Sequence, residues 1–481
     1  MPPSVLDTTR DALSSLAAAV SDALSPTVRV GVTGLARSGK TVFTTALVRH
    51  LVEGTTLTAF RASAEGRIRR ARLSPQPDDA VPRFPYEAHL KALQEDRRWP
   101  SSTTQISELR VEIDYERKAG GWRGGPASLA VDFVDYPGEW LLDLALLDAS
   151  FADWSRETVA GSRREDRRAL AGPWHDHLRR LDPAGDPDEA AIAAASDAFK
   201  AYLAALRAGP EAVATTPPGR FLMPGDLAGS PALTFAPLDL EEAGTIRSGS
   251  LAALMERRFE AYKTHVVRPF FRDHFQRIDR QIVLVDVLAA VDAGPEALAE
   301  LEAALDRVLL TFRAGRNTLL SNLFSPRADR VLFAATKADH VHHTMHARLE
   351  ALLRLLVERA VKRTEAAGAK VGVVALASVR ATRETAVRDG RETLRTVAGT
   401  PEAGERVGDE TFDGEAEAAI FPGELPERPG AIFEGAVPPG SFRFPRFRPP
   451  KLAPDAGGRR PALPHIRLDR AVEFLIGDRL R

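Results

Sequence analysis

Residues 34–41 have the types and the spacing of a phosphate-binding loop. They read GLARSGKT, match the pattern GxxxxGK[ST], and lie between a β-branched stretch and a helical one. Glycines let the backbone N–H groups of such a loop converge on a β-phosphate, while the Lys40 ammonium contacts the β and γ oxygens and the Thr41 hydroxyl binds Mg²⁺. The sequence therefore predicts nucleotide binding by the residues of this loop, which are Gly34, Ala36, Arg37, Ser38, Gly39, Lys40, Thr41 and Val42.

Residues 135–138 read DYPG at the end of an apolar strand predicted over residues 128–135. In phosphate-loop NTPases a carboxylate at this place is coupled to Mg²⁺ and the glycine N–H meets the γ-phosphate, which assigns these roles to Asp135 and Gly138. Glu139 follows, where Ras-like GTPases carry the glutamine that orients the attacking water. Glu139 is therefore a catalytic candidate. The alternative is that it has no catalytic role, because a γ-phosphate repels a carboxylate unless the carboxylate is protonated or held away.

Two further candidates come from the loop and from a cluster of hydroxyl residues. The Arg37 cation lies next to the expected phosphates, where it can donate charge in cis, and the alternative is that its side chain points to solvent. Residues 101–104 read SSTT, and a threonine from this cluster is expected to complete the Mg²⁺ shell in the GTP state. The sequence does not rank Thr103 against Thr104.

Residues 336–339 read TKAD after an apolar strand and indicate the base that is bound. An aspartate in this motif accepts hydrogen bonds from the N1–H and the exocyclic amino group of guanine, and the lysine stem lies along the ring. Adenine has no matching pair of donors, so Thr336, Lys337 and Asp339 favour GTP and GDP. The turn after the next apolar strand offers backbone N–H groups to the guanine O6, and its residues are Ala377, Ser378 and Val379.

Together with other stretches, these motifs resemble the bacterial YcjX family of P-loop GTPase-like stress proteins over most of the chain. The stretches that carry the resemblance are 135–140 (DYPGEW), 266–271 (VVRPFF), 279–286 (DRQIVLVD), 315–326 (GRNTLLSNLFSP), 336–340 (TKADH) and 377–382 (ASVRAT). The resemblance implies a Ras-like domain interrupted by extra helices, binding of GTP or GDP with Mg²⁺, and a role in stress or envelope homeostasis. It also implies a membrane-protein partner and recruitment to the inner face of the membrane. Thr336 replaces the commoner asparagine and no glutamine follows Gly138, which puts the hydrolytic rate in doubt.

Alternation and apolar runs predict the elements that position these motifs. The fold class is α/β, a Ras-like P-loop NTPase sheet that is mostly parallel with one antiparallel strand. Strands are predicted over 28–33, 106–115, 128–135, 281–287, 330–335 and 370–377, and helices over 39–52, 295–323, 344–366 and 466–480.

The predicted domain organisation places a helical insertion inside the nucleotide-binding domain. An N-terminal helix over 1–27 precedes the first part of that domain, 28–139, in which 53–105 form an extended switch I region. A helical subdomain, 140–280, follows the expected γ-phosphate contact and is either a nucleotide-driven lever or a static cap. The second part, 281–398, leads into a wrapping segment rich in Pro and Gly with a final helix, 399–481. We expect residues 442–448 (FRFPRFR) to bury their phenylalanines in an edge strand or wrapping tail rather than to stack on single-stranded nucleic acid.

The composition excludes several classes of protein. The 481 residues carry a formal net charge of -1 and no cysteine, which argues against nucleic-acid binding and excludes disulfides and zinc–thiolate sites. The sequence contains no apolar run long enough for a transmembrane segment and no secretory leader, so we expect a soluble, cytoplasmic protein. The histidines are expected to be solvated or helix-capping, because none falls into a recognised metal-ligand spacing; the ones considered are His175, His177, His340, His342 and His343.

The sequence as a whole predicts a GTP-dependent molecular switch with slow hydrolysis. Lys40 and backbone amides would neutralise charge during in-line attack of water on the γ-phosphate, and Gly138 would sense that phosphate. Two alternatives stay open. One is an ATP-dependent ATPase or phosphotransferase, which the TKAD motif opposes, and the other is a nucleotide-stabilised scaffold that binds GDP without turnover.

Overall fold

A seven-stranded sheet forms the centre of the fold in the computed structural model of the protein. Its strands are β1 Thr27–Gly34, β2 Ile68–Ser74, β3 Ser107–Glu116, β4 Pro126–Asp135, β5 Arg280–Val285, β6 Arg330–Ala335 and β7 Lys370–Ala375. The structure describes residues 26–35, 37–55, 57–101, 105–118, 125–208, 216–224, 227, 229–240, 246–310, 328–366, 368–390, 392–434, 437–438, 440–454 and 461–481.

The strand directions confirm the predicted mostly parallel sheet with one antiparallel strand. The strand order is β2-β3-β4-β1-β5-β6-β7, and the five strands from β4 to β7 in that order all pair in parallel. Within the sheet only β3 runs against its neighbours, since it pairs antiparallel with both β2 and β4. Central strands such as β5 are buried at every position, as a parallel sheet covered on both faces requires, and this explains the apolar run over 282–285 that follows the buried polar residues Arg280 and Gln281.

The edge strand β2 lies within the predicted extended switch I region, 53–105, for which no strand was predicted. Its sequence IRRARLS lacks apolar alternation, and Ala71 is its one buried residue. The strand pairs with β3 through its backbone, and ion pairs join the two strands' side chains. Arg72 Nη1 donates to Asp114 Oδ2 of β3 at 2.7 Å, and the other terminal nitrogen of Arg72 donates to Glu112. A solvated edge strand does not need an apolar face, so the periodicity of the sequence gives no signal for it.

Helices cover both faces of the sheet. They are α1 Lys40–Val52, α2 Arg61–Ala64, α3 Tyr86–Gln94, α4 Glu139–Leu142, α5 Phe151–Ser162, α6 Glu165–Leu178, α7 Glu189–Ala208, α8 Leu251–Tyr262, α9 Arg268–Asp273, α10 Val287–Ala293, α11 Pro295–Leu310, α12 His346–Leu356, α13 Glu358–Ala366 and α14 Leu468–Ile476. The helix predicted over 344–366 is divided at Val357, and the predicted helix 1–27 lies outside the described residues. No helix in the described part of the chain combines the length and the apolar content that a membrane span requires.

Between β4 and β5 the described residues form helices and no strand. The α-helices are α4 to α9. Buried aromatic rings join these helices: Trp154 stacks on Phe259 with ring centroids 5.1 Å apart, and Trp174 stacks on Tyr202 at 5.3 Å. Their apolar core is continuous with one face of the sheet, while α1 and α14 pack on the other face. The helical insertion subdomain, with its boundaries at 140 and 280, stays a prediction.

The chain after β7 forms short antiparallel strands that the sequence analysis did not predict. The strands β8 Arg383–Asp389, β9 Glu392–Gly399 and β12 Ala418–Ile420 make one sheet, and β10 Arg406–Val407 pairs with β11 Glu410–Thr411. In the stretch 442–448, Phe442 and Phe447 are buried, and Phe447 makes an isolated bridge to Pro401 rather than part of a strand. Its backbone carbonyl reaches the predicted switch I region, as described below.

Candidate nucleotide-binding site

A cavity of about 330 Å³ opens at the carboxyl ends of the parallel strands and brings three of the predicted motifs together. The residues that line it are Arg37, Ser38, Gly39, Lys40, Thr41, Val42, Trp99, Pro100, Ser101, Glu139, Arg207, Thr336, Lys337, Asp339, His340, Ala377, Ser378, Val379, Glu402, Arg446 and Phe447. In open α/β sheets such a crevice is the usual place for a ligand. Ala36 lies outside the described residues.

The phosphate-binding loop places the N-terminus of α1 at this cavity. Gly39 precedes the helix in a left-handed conformation, with φ 86°, which glycine adopts without strain. No side chain caps the helix and no acidic residue occurs in its first turn. The first N–H groups of α1 and the positive end of the helix dipole therefore form an anion site.

Two glycines allow the backbone segments around the loop to approach closely. A Cβ added to Gly34 would lie 2.3 Å from both Leu284 O and Ser38 Oγ. A Cβ added to Gly138 would lie 2.1 Å from Gly34 O. The DYPG turn thus packs directly against the phosphate-binding loop and needs a glycine at 138, while Gly34 allows the loop to pack against Leu284 of β5.

The Lys40 ammonium lies buried beneath the loop. Its Nζ donates to Gly34 O at 2.7 Å and to Leu35 O at 3.4 Å. Burial lowers the pKa of Lys40, and the nearby carboxylates of Glu139 and Asp135 act in the opposite direction. Those carboxylates supply the negative charge that keeps a cation at this position.

Glu139 is held by a cation that the sequence analysis missed. Its side chain is only 6% exposed, and Arg207 Nη2 lies 3.1 Å from its Oε1. Arg207 is the penultimate residue of α7, far from Glu139 in sequence, and both side chains line the cavity. No local pattern separates Arg207 from the chain's many other arginines, so only the packing of α7 identifies it. The structure thus places a cation beside this carboxylate, and the catalytic role of Glu139 stays a prediction.

Thr41 and Asp135 supply oxygen ligands of the kind that Mg²⁺ prefers. Asp135 is buried at the end of β4, in register with Val32 of β1, and Thr41 is buried in the first turn of α1. Thr41 Oγ1 donates to Ser101 O at 3.5 Å, so the chain just before the predicted magnesium threonines passes the loop. Thr103 and Thr104 themselves lie outside the described residues.

The TKAD motif forms a tight turn next to the phosphate-binding loop. Lys337 adopts a left-handed conformation, with φ 57°, and its ammonium pairs with Asp286 at the end of β5. Thr336 N donates to Val285 O at 2.9 Å. Asp339 Oδ2 accepts a hydrogen bond of 2.8 Å from Ala381 N, which fixes the carboxylate that would recognise the base.

The turn after β7 lies beside Asp339, but one of its N–H groups is already used. Ala377 N donates to Ile466 O at 3.0 Å, so this N–H is engaged by the C-terminal segment and not directed at a base. Ser378 and Val379 are the other predicted members of this turn, and both line the cavity. Competition from a segment distant in sequence could not be read from the local pattern.

The rim of the cavity contains aromatic and charged residues that the sequence analysis did not assign. Trp99 Nε1 donates to Phe447 O at 2.6 Å, which joins the predicted switch I region to the C-terminal segment. The Phe447 ring makes an edge contact with His340, with centroids 5.3 Å apart. Arg446 Nε donates to Glu405 at 2.7 Å. Arg37 is exposed, with φ 61°, and it borders both this cavity and a neighbouring one of about 290 Å³.

Comparison with known proteins gives matches over nearly the whole chain. The YcjX-like family, DUF463, matches residues 28–480. The chain is similar to a protein of Escherichia coli strain K12 named Ras-like GTPase YcjX, with 37% identity over 467 residues, 94% of this chain and 96% of the relative. It is also similar to the Ras-like GTPase YcjX of Shewanella oneidensis, with 32% identity over 474 residues and 94% of each chain.

Proposed function

The chain belongs to the YcjX-like family, and on that premise we propose that it binds GTP and GDP with Mg²⁺ and hydrolyses GTP slowly as a molecular switch. The observation that carries the proposal is the single cavity lined by the N-terminus of α1, by Glu139 and by both predicted base-recognition segments. An anion site and a guanine-type acceptor then face one ligand. The relatives' name, Ras-like GTPase, supports the same activity.

In the proposed reaction, water attacks the γ-phosphate in line with the bond to the β-γ bridging oxygen. Lys40 and the first N–H groups of α1 neutralise the charge of the phosphate oxygens, and the Gly138 N–H contacts the γ-phosphate. Thr41 and Asp135, together with Thr103 or Thr104, would hold Mg²⁺, which supplies further positive charge to the β and γ oxygens. Thr336, Lys337, Asp339, Ser378 and Val379 would select the guanine base.

Glu139 supports a slow rate. A glutamine at this place offers both a donor and an acceptor to a water, whereas a carboxylate held by Arg207 only accepts. The ion pair can position a water near the γ-phosphate while Arg207 offsets the charge of Glu139. The same observation favours the second candidate function, a nucleotide-stabilised scaffold that binds GDP without turnover.

Phosphate release from GTP and from ATP separates these functions. We expect slow release from GTP that needs Mg²⁺, and none from ATP above the rate without protein. Release from ATP at the GTP rate would support an ATPase instead, and nucleotide binding without any release would support the scaffold. Arg37→Ala tests whether the Arg37 cation donates charge to the phosphates in cis. This exposed side chain can be removed without disturbing the core.

The biological setting is also a proposal. Family resemblance supports a role in bacterial stress or envelope response, with a membrane-protein partner that brings a cytoplasmic protein to the inner face of the membrane. Heat-induced co-purification of the protein with membranes, lost when the nucleotide is removed, is the expected result. Fractionation that never places the protein on membranes would overturn this part of the proposal.

A further inference from the structure

Three side chains with metal-binding atoms meet at the surface beyond the TKAD turn. His343 begins a short 3-10 turn that His342 caps, and Glu384 is the second residue of β8. One ligand atom from each residue lies within 4.8 Å of the other two. Sequence analysis treated these histidines as solvated or capping, because a partner 41 residues further along gives no local spacing to detect.

The distances are close to those between the ligands of one bound ion. Glu384 Oε2 lies 2.7 Å from His343 Nδ1 and 3.7 Å from His342 Nε2. Ligands that bind one ion at about 2.0–2.2 Å are separated by roughly 3–3.5 Å. A small adjustment of the exposed His343 and the half-buried His342 and Glu384 would therefore seat one ion in place of the hydrogen bond between His343 and Glu384.

Hydrogen bonds behind these side chains orient two of the ligands. His342 Nδ1 lies 3.0 Å from Thr344 Oγ1 and accepts a hydrogen bond of 3.4 Å from Thr344 N, so a metal that binds at Nε2 displaces the proton held there. Glu384 Oε1 accepts a hydrogen bond of 3.1 Å from His343 N, which directs Oε2 toward the imidazoles.

From this geometry we propose that His342, His343 and Glu384 bind one divalent transition-metal ion of the Zn²⁺ class. Two imidazoles and a carboxylate form a donor set that suits zinc, and the exposure of His343 leaves a remaining position open to solvent. Arg380 Nη2 lies 3.9 Å from Glu384, and this neighbouring positive charge limits the affinity.

The site would tie together the two segments that hold the base-recognising carboxylate. His342 follows the TKAD motif, while Glu384 follows Ala381 and Thr382, which bond the carboxylate and the backbone carbonyl of Asp339. An ion that bridges these segments favours the arrangement that binds a base. Metal binding should therefore slow the release of GDP, and this consequence rests on the proposed function.

Zinc binding by the full-length protein without a polyhistidine tag tests the site directly. Calorimetric titration with ZnCl₂ in the absence of nucleotide should show one equivalent bound, and Glu384→Gln or His342→Ala should weaken it at least about tenfold. His265→Ala removes an exposed histidine elsewhere and should leave the titration unchanged. Circular dichroism checks that each variant is folded. Equal zinc affinity in the wild type and in a folded His342→Ala/His343→Ala variant would overturn the proposal.

The coupling is tested by release of a fluorescent GDP analogue in Mg²⁺ buffer, with and without ZnCl₂. We expect slower release with zinc in the wild type and no effect in Glu384→Gln. Zinc binding without nucleotide binding would leave the site intact and overturn the proposed function. Nucleotide binding without zinc binding would overturn the metal site and leave the proposed function intact. Zinc binding that leaves GDP release unchanged would overturn the coupling between the two sites.

Discussion

Removing the Arg207 side chain should expose the Glu139 charge to the phosphate site and destabilise the fold. The two groups lie 3.1 Å apart, the Glu139 side chain is 6% exposed, and that of Arg207 is 23% exposed. At this distance and an effective dielectric constant of about 20, Coulomb's law gives an attraction of about 5 kcal/mol. Desolvation of both groups and partial solvent screening of Arg207 offset much of it, so we expect a coupling energy of about 2 kcal/mol.

A double-mutant cycle measures this coupling. Urea denaturation of the wild type, Arg207→Ala, Glu139→Gln and the double variant should show that Arg207→Ala costs about 2 kcal/mol less when Glu139 is already glutamine. The same Arg207→Ala variant should lose affinity for a non-hydrolysable GTP analogue more than for GDP, because the uncovered carboxylate repels the γ-phosphate. Additive free energies of unfolding, together with equal losses for both nucleotides, would refute the ion pair as a feature of the site.

Three further predictions follow from individual contacts. Gly138→Ala should weaken binding of GDP as well as of a GTP analogue by about tenfold, because its Cβ would press on the carbonyl of Gly34; calorimetry showing unchanged GDP affinity would contradict the close approach. Asp339→Asn should exchange guanine for xanthine preference, measured by competition with XDP, and retained guanine preference would place the motif away from the base. Burial, followed by the neighbouring charge of His465, lowers the pKa of His50 to about 4. Between about pH 6.5 and 4 the unfolded chain binds a proton at His50 and the folded chain does not. The free energy of unfolding therefore decreases as the pH is lowered through this window, and at pH 5 it is about 2 kcal/mol smaller than at pH 7. Urea midpoints at pH 7 and 5 should show a smaller loss in His50→Gln, and an equal loss would contradict this origin.

The parts of the fold that could be predicted from the sequence are those whose signal is local. A strand buried on both faces is mostly apolar, as residues 282–285 of β5 are, and a phosphate-binding loop needs its residue types within one contiguous segment. The motifs 34–41 and 336–339 could therefore be read from their own letters. The strand directions agree with the predicted sheet, which is mostly parallel with one antiparallel strand.

The features that could not be predicted depend on contacts between distant segments. Arg207 reaches the site because α7 packs there, and Ala377 loses its N–H to Ile466 because the C-terminal segment pairs with it. The edge strand β2 is stabilised by charge across the sheet and not by an apolar face. Glu384 joins two histidines only after β8 has folded back on the TKAD turn. The pattern of a single sequence does not indicate which distant residues contact each other in the fold.

The central claim is that the cavity between the phosphate-binding loop and the TKAD turn binds a guanine nucleotide. Calorimetric titration with GDP, GTP and ADP in Mg²⁺ buffer tests it most directly, with Lys40→Ala as the site variant and Lys91→Ala as an exposed control. We predict that GDP binds the wild type and Lys91→Ala alike, that ADP binds at least about a hundredfold more weakly, and that Lys40→Ala removes measurable binding of GTP. Near wild-type affinity of Lys40→Ala for GTP, or equal affinities of the wild type for GDP and ADP, would contradict the claim.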